Sequence, residues 1–140
     1  MTTATVKQAI EIIKMQSFRA PVEHISEYLV GERIDTVVAY HVTKHENAEA
    51  IRANGIKATG CYERNAATYL FLDYRDVRDN GENITGESEF TVFTVSIPAE
   101  IAAKIKDDGL YNGTFITSYS ACRLEQDVPA AWIIGETHET

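Results

Sequence analysis

In FTVFTVSI, residues 90–97, side chains alternate with a period of two, which puts one set on each face of an extended strand and gives a helix no single buried side. TVVAYHV (36–42) and TYLFLD (68–73) share its β-branched and aromatic character. Beyond Gly109 come shorter candidates, TFITS (114–118), SACRLE (120–125) and PAAWII (129–134). The first forty residues behave differently. Val6, Ala9, Ile10 and Ile13 fall at helical spacing behind several threonine caps, and a second helix opens at Pro21 and runs through VEHISEYL to a stop near Gly31. PAEIAAKIKDD (98–108) reads as another helix, with proline in its first turn and Ile101 and Ile105 one turn apart. DNGENITGESE (79–89) reads as a surface loop on composition. The expectation is an α+β fold: two N-terminal helices, then a mainly antiparallel sheet with short helices. No repeat or Pro/Gly-rich linker divides it, so residues 1–140 are read as one domain, with a helical extension over 1–35 and a core over 36–140.

Composition bounds the partners. With 44% hydrophobic and 24% charged residues the chain can bury a core. Its formal net charge of -8 is scattered, with no run of Lys or Arg, which argues against nucleic acid because phosphate binding needs clustered cations. A small anion needs only a few local donors and stays open. No apolar run approaches the roughly 20 residues of a membrane span, and no basic segment with an apolar stretch opens the chain, so a soluble cytoplasmic protein without a membrane partner is expected. Cys61 and Cys122 lack a CxxC spacing and are expected as reduced thiols.

The stretch YHVTKHENAEAIRANGIKATG (40–60) concentrates the chemistry. Thr43 through Glu46 fit a capping box, and Gly55 suits a left-handed helix stop, so neither Glu46 nor Gly55 requires a binding role. His41 is delivered by a strand beside the start of a helix, where it serves either a polar ligand or the core. A metal site is not expected, since a cap at Thr43 would break any helix joining His41 to His45 and the spacing is not HExxH.

These residues resemble the opening motif of the ADP-ribosyltransferase-like superfamily, which includes diphtheria-toxin-type transferases, poly(ADP-ribose) polymerases and the RNA 2′-phosphotransferases. YHVT followed by NAEAIRANGI is similar to that family's first strand and helix. ATYLFLD (67–73), FTVFTVSIPAE and DVPAAWI (127–133) follow in the family's order. The resemblance implies a split antiparallel sheet and NAD as substrate. It implies that His41 hydrogen-bonds a ribose hydroxyl or the adenosine-proximal part of NAD, with Thr43 as a second polar contact, and that Tyr69 stacks on nicotinamide. A late-strand glutamate would support the developing positive charge.

At that glutamate's place this chain has Tyr119, Ser120 and Ala121, while Glu125 lies on the same segment nearer the VP pair. The next helix offers Tyr74 as its only aromatic, nearer than the family pattern has it. His41, Tyr69 and Glu125 are therefore the candidate catalytic residues, and Thr43, Tyr62, Arg64, Tyr74 and Ser120 the candidate substrate contacts. Tyr69 read from its strand alone is a core aromatic, and Tyr62 and Arg64 read from their loop are solvated. Three functions follow. One is transfer of ADP-ribose from NAD to a macromolecular acceptor. Another is a non-catalytic module that binds or sequesters NAD, ADP-ribose or a related signalling nucleotide, for instance as an inhibitor. A domain serving only protein interaction, its acidic surface meeting a basic partner, is the third.

Overall fold

The computed structural model describes residues 36–60, 65–107, 110–111, 114–115 and 120–140. The two N-terminal helices read from the sequence, Cys61 and the loop residues Tyr62 and Arg64 lie outside the described residues, as do 116–119.

The fold is α+β. The three β-branched and apolar segments form strands β1 (Thr36–Lys44), β2 (Thr68–Phe71) and β3 (Phe90–Pro98). They join β4 (Lys106–Asp107), β7 (Ala121–Leu124) and β8 (Ile133–Glu139) in one antiparallel sheet of order β4-β7-β2-β1-β3-β8, and β5 (Leu110–Tyr111) pairs separately with β6 (Thr114–Phe115). β1 is registered against β3 along its whole length, from Thr36 opposite Pro98 to Lys44 opposite Phe90. Against β2 it registers only where Tyr40 faces Phe71. The sheet is thus well zipped on one side of β1 and barely closed on the other.

Both faces of the sheet are covered. On one, Val37, Ala39, Leu70, Phe93, Val95 and Ile97 pack with Ile56, Leu124 and Val128 under helices α1 (Ala48–Asn54) and α3 (Ala99–Ala102). On the other, Val42, Tyr69, Phe71, Phe90 and Val92 pack under α2 (Tyr74–Thr85). Double coverage explains TYLF: neighbouring side chains point to opposite faces, and all four are buried.

Several sequence expectations are corrected. The capping box does not form, because Thr43 is still in β1, opposite Thr91; a short 3₁₀ turn over His45–Asn47 intervenes before α1. Gly55 stops α1 at φ 79, ψ -175 rather than in the left-handed helical region, and its amide still bonds the Ile51 carbonyl at 2.8 Å. The proposed helix over 98–108 stops after one turn, and Lys106 and Asp107 pair with Arg123 and Cys122 of β7. The closing strand starts later than PAAWII and runs through the polar THE to Glu139.

The segment 79–89 is the largest correction, for it is helical as far as Thr85. Asp73 caps α2 by accepting from the Arg75 amide at 3.0 Å, and Gly86 ends it in the left-handed conformation. Its buried face consists of Val77, Asn80, Gly81 and Thr85, at helical spacing but mostly polar or small. Asn80 donates to the Asp76 carbonyl at 2.9 Å and Thr85 to the Gly81 carbonyl at 2.9 Å, so the helix satisfies the polar groups it buries. At Gly81 a Cβ would come 2.2 Å from the Phe90 ring, so glycine permits the close approach of α2 to the sheet.

Candidate functional site

The opening between β1 and β2 holds His41. Strand alternation turns Val37, Ala39 and His41 to the same face, the first two into the core and the third, half-buried, beyond it. Its Nδ1 lies 2.8 Å from the Tyr69 carbonyl oxygen. A carbonyl only accepts, so Nδ1 carries the hydrogen and Nε2 is the acceptor of the neutral ring. Burial pulls the His41 pKa below the usual imidazole value, against the smaller upward effect of that hydrogen bond. The ring is therefore neutral at pH 7, with a fixed tautomer.

Two adjoining hollows, of about 280 and 500 Å³, meet at this ring and share His41, Thr43, Asn47, Lys57 and Thr59. The smaller extends past Lys44, Thr68 and Tyr69 toward Ile84 and Thr85 of α2. The larger runs along Ala50, Ile51 and Asn54 of α1. The far wall is a seam: Ile56 bridges Val128, its amide 2.8 Å from the Val128 oxygen, and Thr59 bridges Ala67. Gly55 makes the seam possible, since a Cβ there would lie 2.3 Å from that same oxygen.

The structure brings together some of the sequence candidates. Thr43 lines both hollows beside His41 and accepts a hydrogen bond from the Asn47 side chain at 3.0 Å. Tyr69 lines the smaller hollow, but its ring is 2% exposed within the second core cluster and its hydroxyl donates to the Thr59 carbonyl at 3.2 Å. That bond ties β2 to the seam.

The others lie apart. Glu125 lines a different hollow, of about 540 Å³, where its carboxylate meets Lys106 at 2.5 Å and Arg123 at 3.4 Å. The Lys106 ammonium, with Asn65 and Arg123 adding to it, holds the Glu125 carboxyl below the usual range. Tyr74 opens α2, meets Tyr40 edge-on at 5.0 Å and donates to Glu139; burial and that hydrogen bond push its pKa up to about 12. Ser120 is fully buried, donates through its hydroxyl to Asp76 and accepts from the Asp73 amide at 3.1 Å, which makes it part of the start of α2. His45, four residues from His41, bonds the Thr91 hydroxyl at 2.8 Å and abuts His138, and it lines neither His41 hollow.

Asn47, Lys44, Lys57 and Thr59 are lining residues that the sequence reading does not single out. Asn47 heads the NAEAIRANGI motif, which is the one signal that points to it. Lys57 and Thr59 reach the cleft only through the seam with 67 and 128, a long-range pairing with no local signature.

The class of protein these features define is an α+β domain with a polar cleft at an incompletely closed sheet junction. Compared with known proteins, the chain matches no family model and no curated sequence.

Proposed function

We propose that the chain is an ADP-ribosyltransferase-like protein and that the His41 cleft binds NAD or a related nucleotide. The observation that carries this reading is the placement of His41, its ring oriented by the Tyr69 carbonyl, at the mouth of a cavity lined by Thr43 and Asn47. Two further features support it: the junction of β1 and β2 opens beyond a single register pair, as a split sheet requires, and the motif segments YHVT and NAEAIRANGI build the cleft's walls.

On the choice between transfer and retention, the nearest observation concerns charge. Cleaving the nicotinamide bond develops positive charge on the ribose, which a carboxylate stabilises. Neither hollow at His41 has an Asp or Glu among its described lining residues, and Glu125 is engaged with Lys106 elsewhere. This favours binding without turnover, with transfer as the second reading.

Calorimetric titration with NAD and ADP-ribose, run beside an assay of nicotinamide release, tests both. Saturable binding is expected, weakened about tenfold or more in His41→Ala, the scale of one lost hydrogen bond to a partly buried group. Release is expected at background level. Absence of binding to either compound sinks the nucleotide reading, and steady release that disappears in His41→Ala establishes transfer instead.

A further inference from the structure

We infer that the cleft selects its ligand by charge, taking a nucleotide with a diphosphate and an uncharged second group, such as ADP-ribose or a reduced dinucleotide, over the cationic nicotinamide of NAD. The inference rests on the nucleotide reading above and narrows it.

The chain carries 21 acidic and 13 basic residues, so an average stretch of its surface repels anions. The cleft departs from that average. Lys44 and Lys57 line it, and none of its described lining residues is acidic. Acids do occur close by in the chain. Glu46 and Glu49 are exposed, and neither lines a hollow. Asp127 is drawn to the Ala58 amide at 2.8 Å and stands 3.7 Å from the Lys57 ammonium, too long for a tight hydrogen-bonded pair. Asp127 therefore offsets part of the Lys57 charge, and Lys44 is the second ammonium of the cleft.

The remaining polar lining groups are uncharged. His41 is neutral at pH 7, and Thr43, Asn47, Thr59, Thr68 and Thr85 carry hydroxyls and an amide. Such a set hydrogen-bonds sugar hydroxyls and, with the two ammoniums, holds phosphate oxygens. Among the described lining residues there is no carboxylate to compensate a pyridinium cation, which would sit among ammoniums and neutral dipoles. Both ammoniums are exposed and screened by water, so one like charge on the ligand changes affinity by only about two- to fivefold.

NADH and NAD differ by a hydride and share their shape, so they isolate the ring's charge. Titrating the full chain with ADP-ribose, NADH and NAD at low and at moderate ionic strength is expected to give ADP-ribose and NADH about two- to fivefold tighter than NAD at low salt, a preference that shrinks as salt is added. In Lys44→Gln/Lys57→Gln the three affinities are expected to converge, with the unfolding midpoint kept within a few degrees as a check on folding. Equal binding of NADH and NAD, or tighter binding of NAD, overturns charge selection while leaving the nucleotide reading intact. Failure of all three to bind removes the nucleotide reading itself, and this inference with it.

Discussion

The hollow at Glu125 and the pair of hollows at His41 lie at different junctions of the sheet, and they differ in whether a carboxylate meets their lysines. At Glu125 the carboxylate stands 2.5 Å from the Lys106 ammonium and 3.4 Å from the Arg123 guanidinium, so the acid is held by the chain's own cations. At His41, two lysines share the wall with a neutral imidazole, and no described lining residue is a carboxylate. A carboxylate already held by two cations has little left to offer a ligand. A site that leaves cationic groups facing a cavity, in a chain of formal charge -8, is arranged for something brought from outside.

The strongest way to break this contrast is to disturb the wall that belongs to one hollow alone. In Gly55→Ala the new methyl group would meet the Val128 oxygen at 2.3 Å and the Ala130 nitrogen at 2.8 Å, on a backbone whose φ of 79 L side chains rarely adopt. A loss of roughly 2–5 kcal/mol is expected from strain and overpacking together. Gly86 has a similar φ of 73 with no atom within 4 Å of a Cβ, so Gly86→Ala should cost only about 1 kcal/mol. Denaturant unfolding of both variants measures the difference. Equal losses would mean that the seam does not press on Gly55, and the cleft would lose its fixed wall.

A smaller effect comes from the proton. The folded state holds the His41 pKa below its unfolded value, so below about pH 6.5 the unfolded chain binds a proton that the folded chain resists. Stability is therefore expected to fall as the pH drops through that value. His41→Asn places an amide donor near the Tyr69 carbonyl without a titrating ring, and it should flatten this slope between pH 7 and 5. An unchanged slope would assign the acid sensitivity to another group and leave the neutral state of His41 unsupported.

How legible this was in the sequence depends on the range over which each feature is specified. β1, β2 and β3 announce themselves through β-branched residues and alternation, and His41 through its place at a strand end. α2 does not, because its buried face is Asn80, Gly81 and Thr85 beside a single Val77, a set that hydropathy reads as loop. Its burial is made possible by bonds within the helix and by the fit of Gly81 to Phe90, neither of which has a local pattern. The same limit applies to the site. Glu125 shares the late segment where the family motif places its acid, yet its direction is set by β4, which brings Lys106 opposite Arg123. Lys57 and Thr59 enter the cleft through pairings with residues far along the chain.

The mildest test asks whether the two hollows are independent. Lys106→Gln removes the ammonium that does most to hold Glu125 ionised, so the Glu125 carboxyl should titrate closer to the usual carboxylate range, with Asn65 and Arg123 retaining part of the effect. Side-chain carboxyl NMR reads this directly. Because the pair is exposed to solvent on the lysine side, little change in the unfolding midpoint is expected. Nucleotide affinity should be unchanged, whereas Lys57→Gln lowers it with no shift at Glu125. If Lys106→Gln weakened nucleotide binding as much as Lys57→Gln does, the charge at Glu125 would be felt in the cleft. The two sites would then be one electrostatic unit, and Glu125 would return as a group that acts on the ligand.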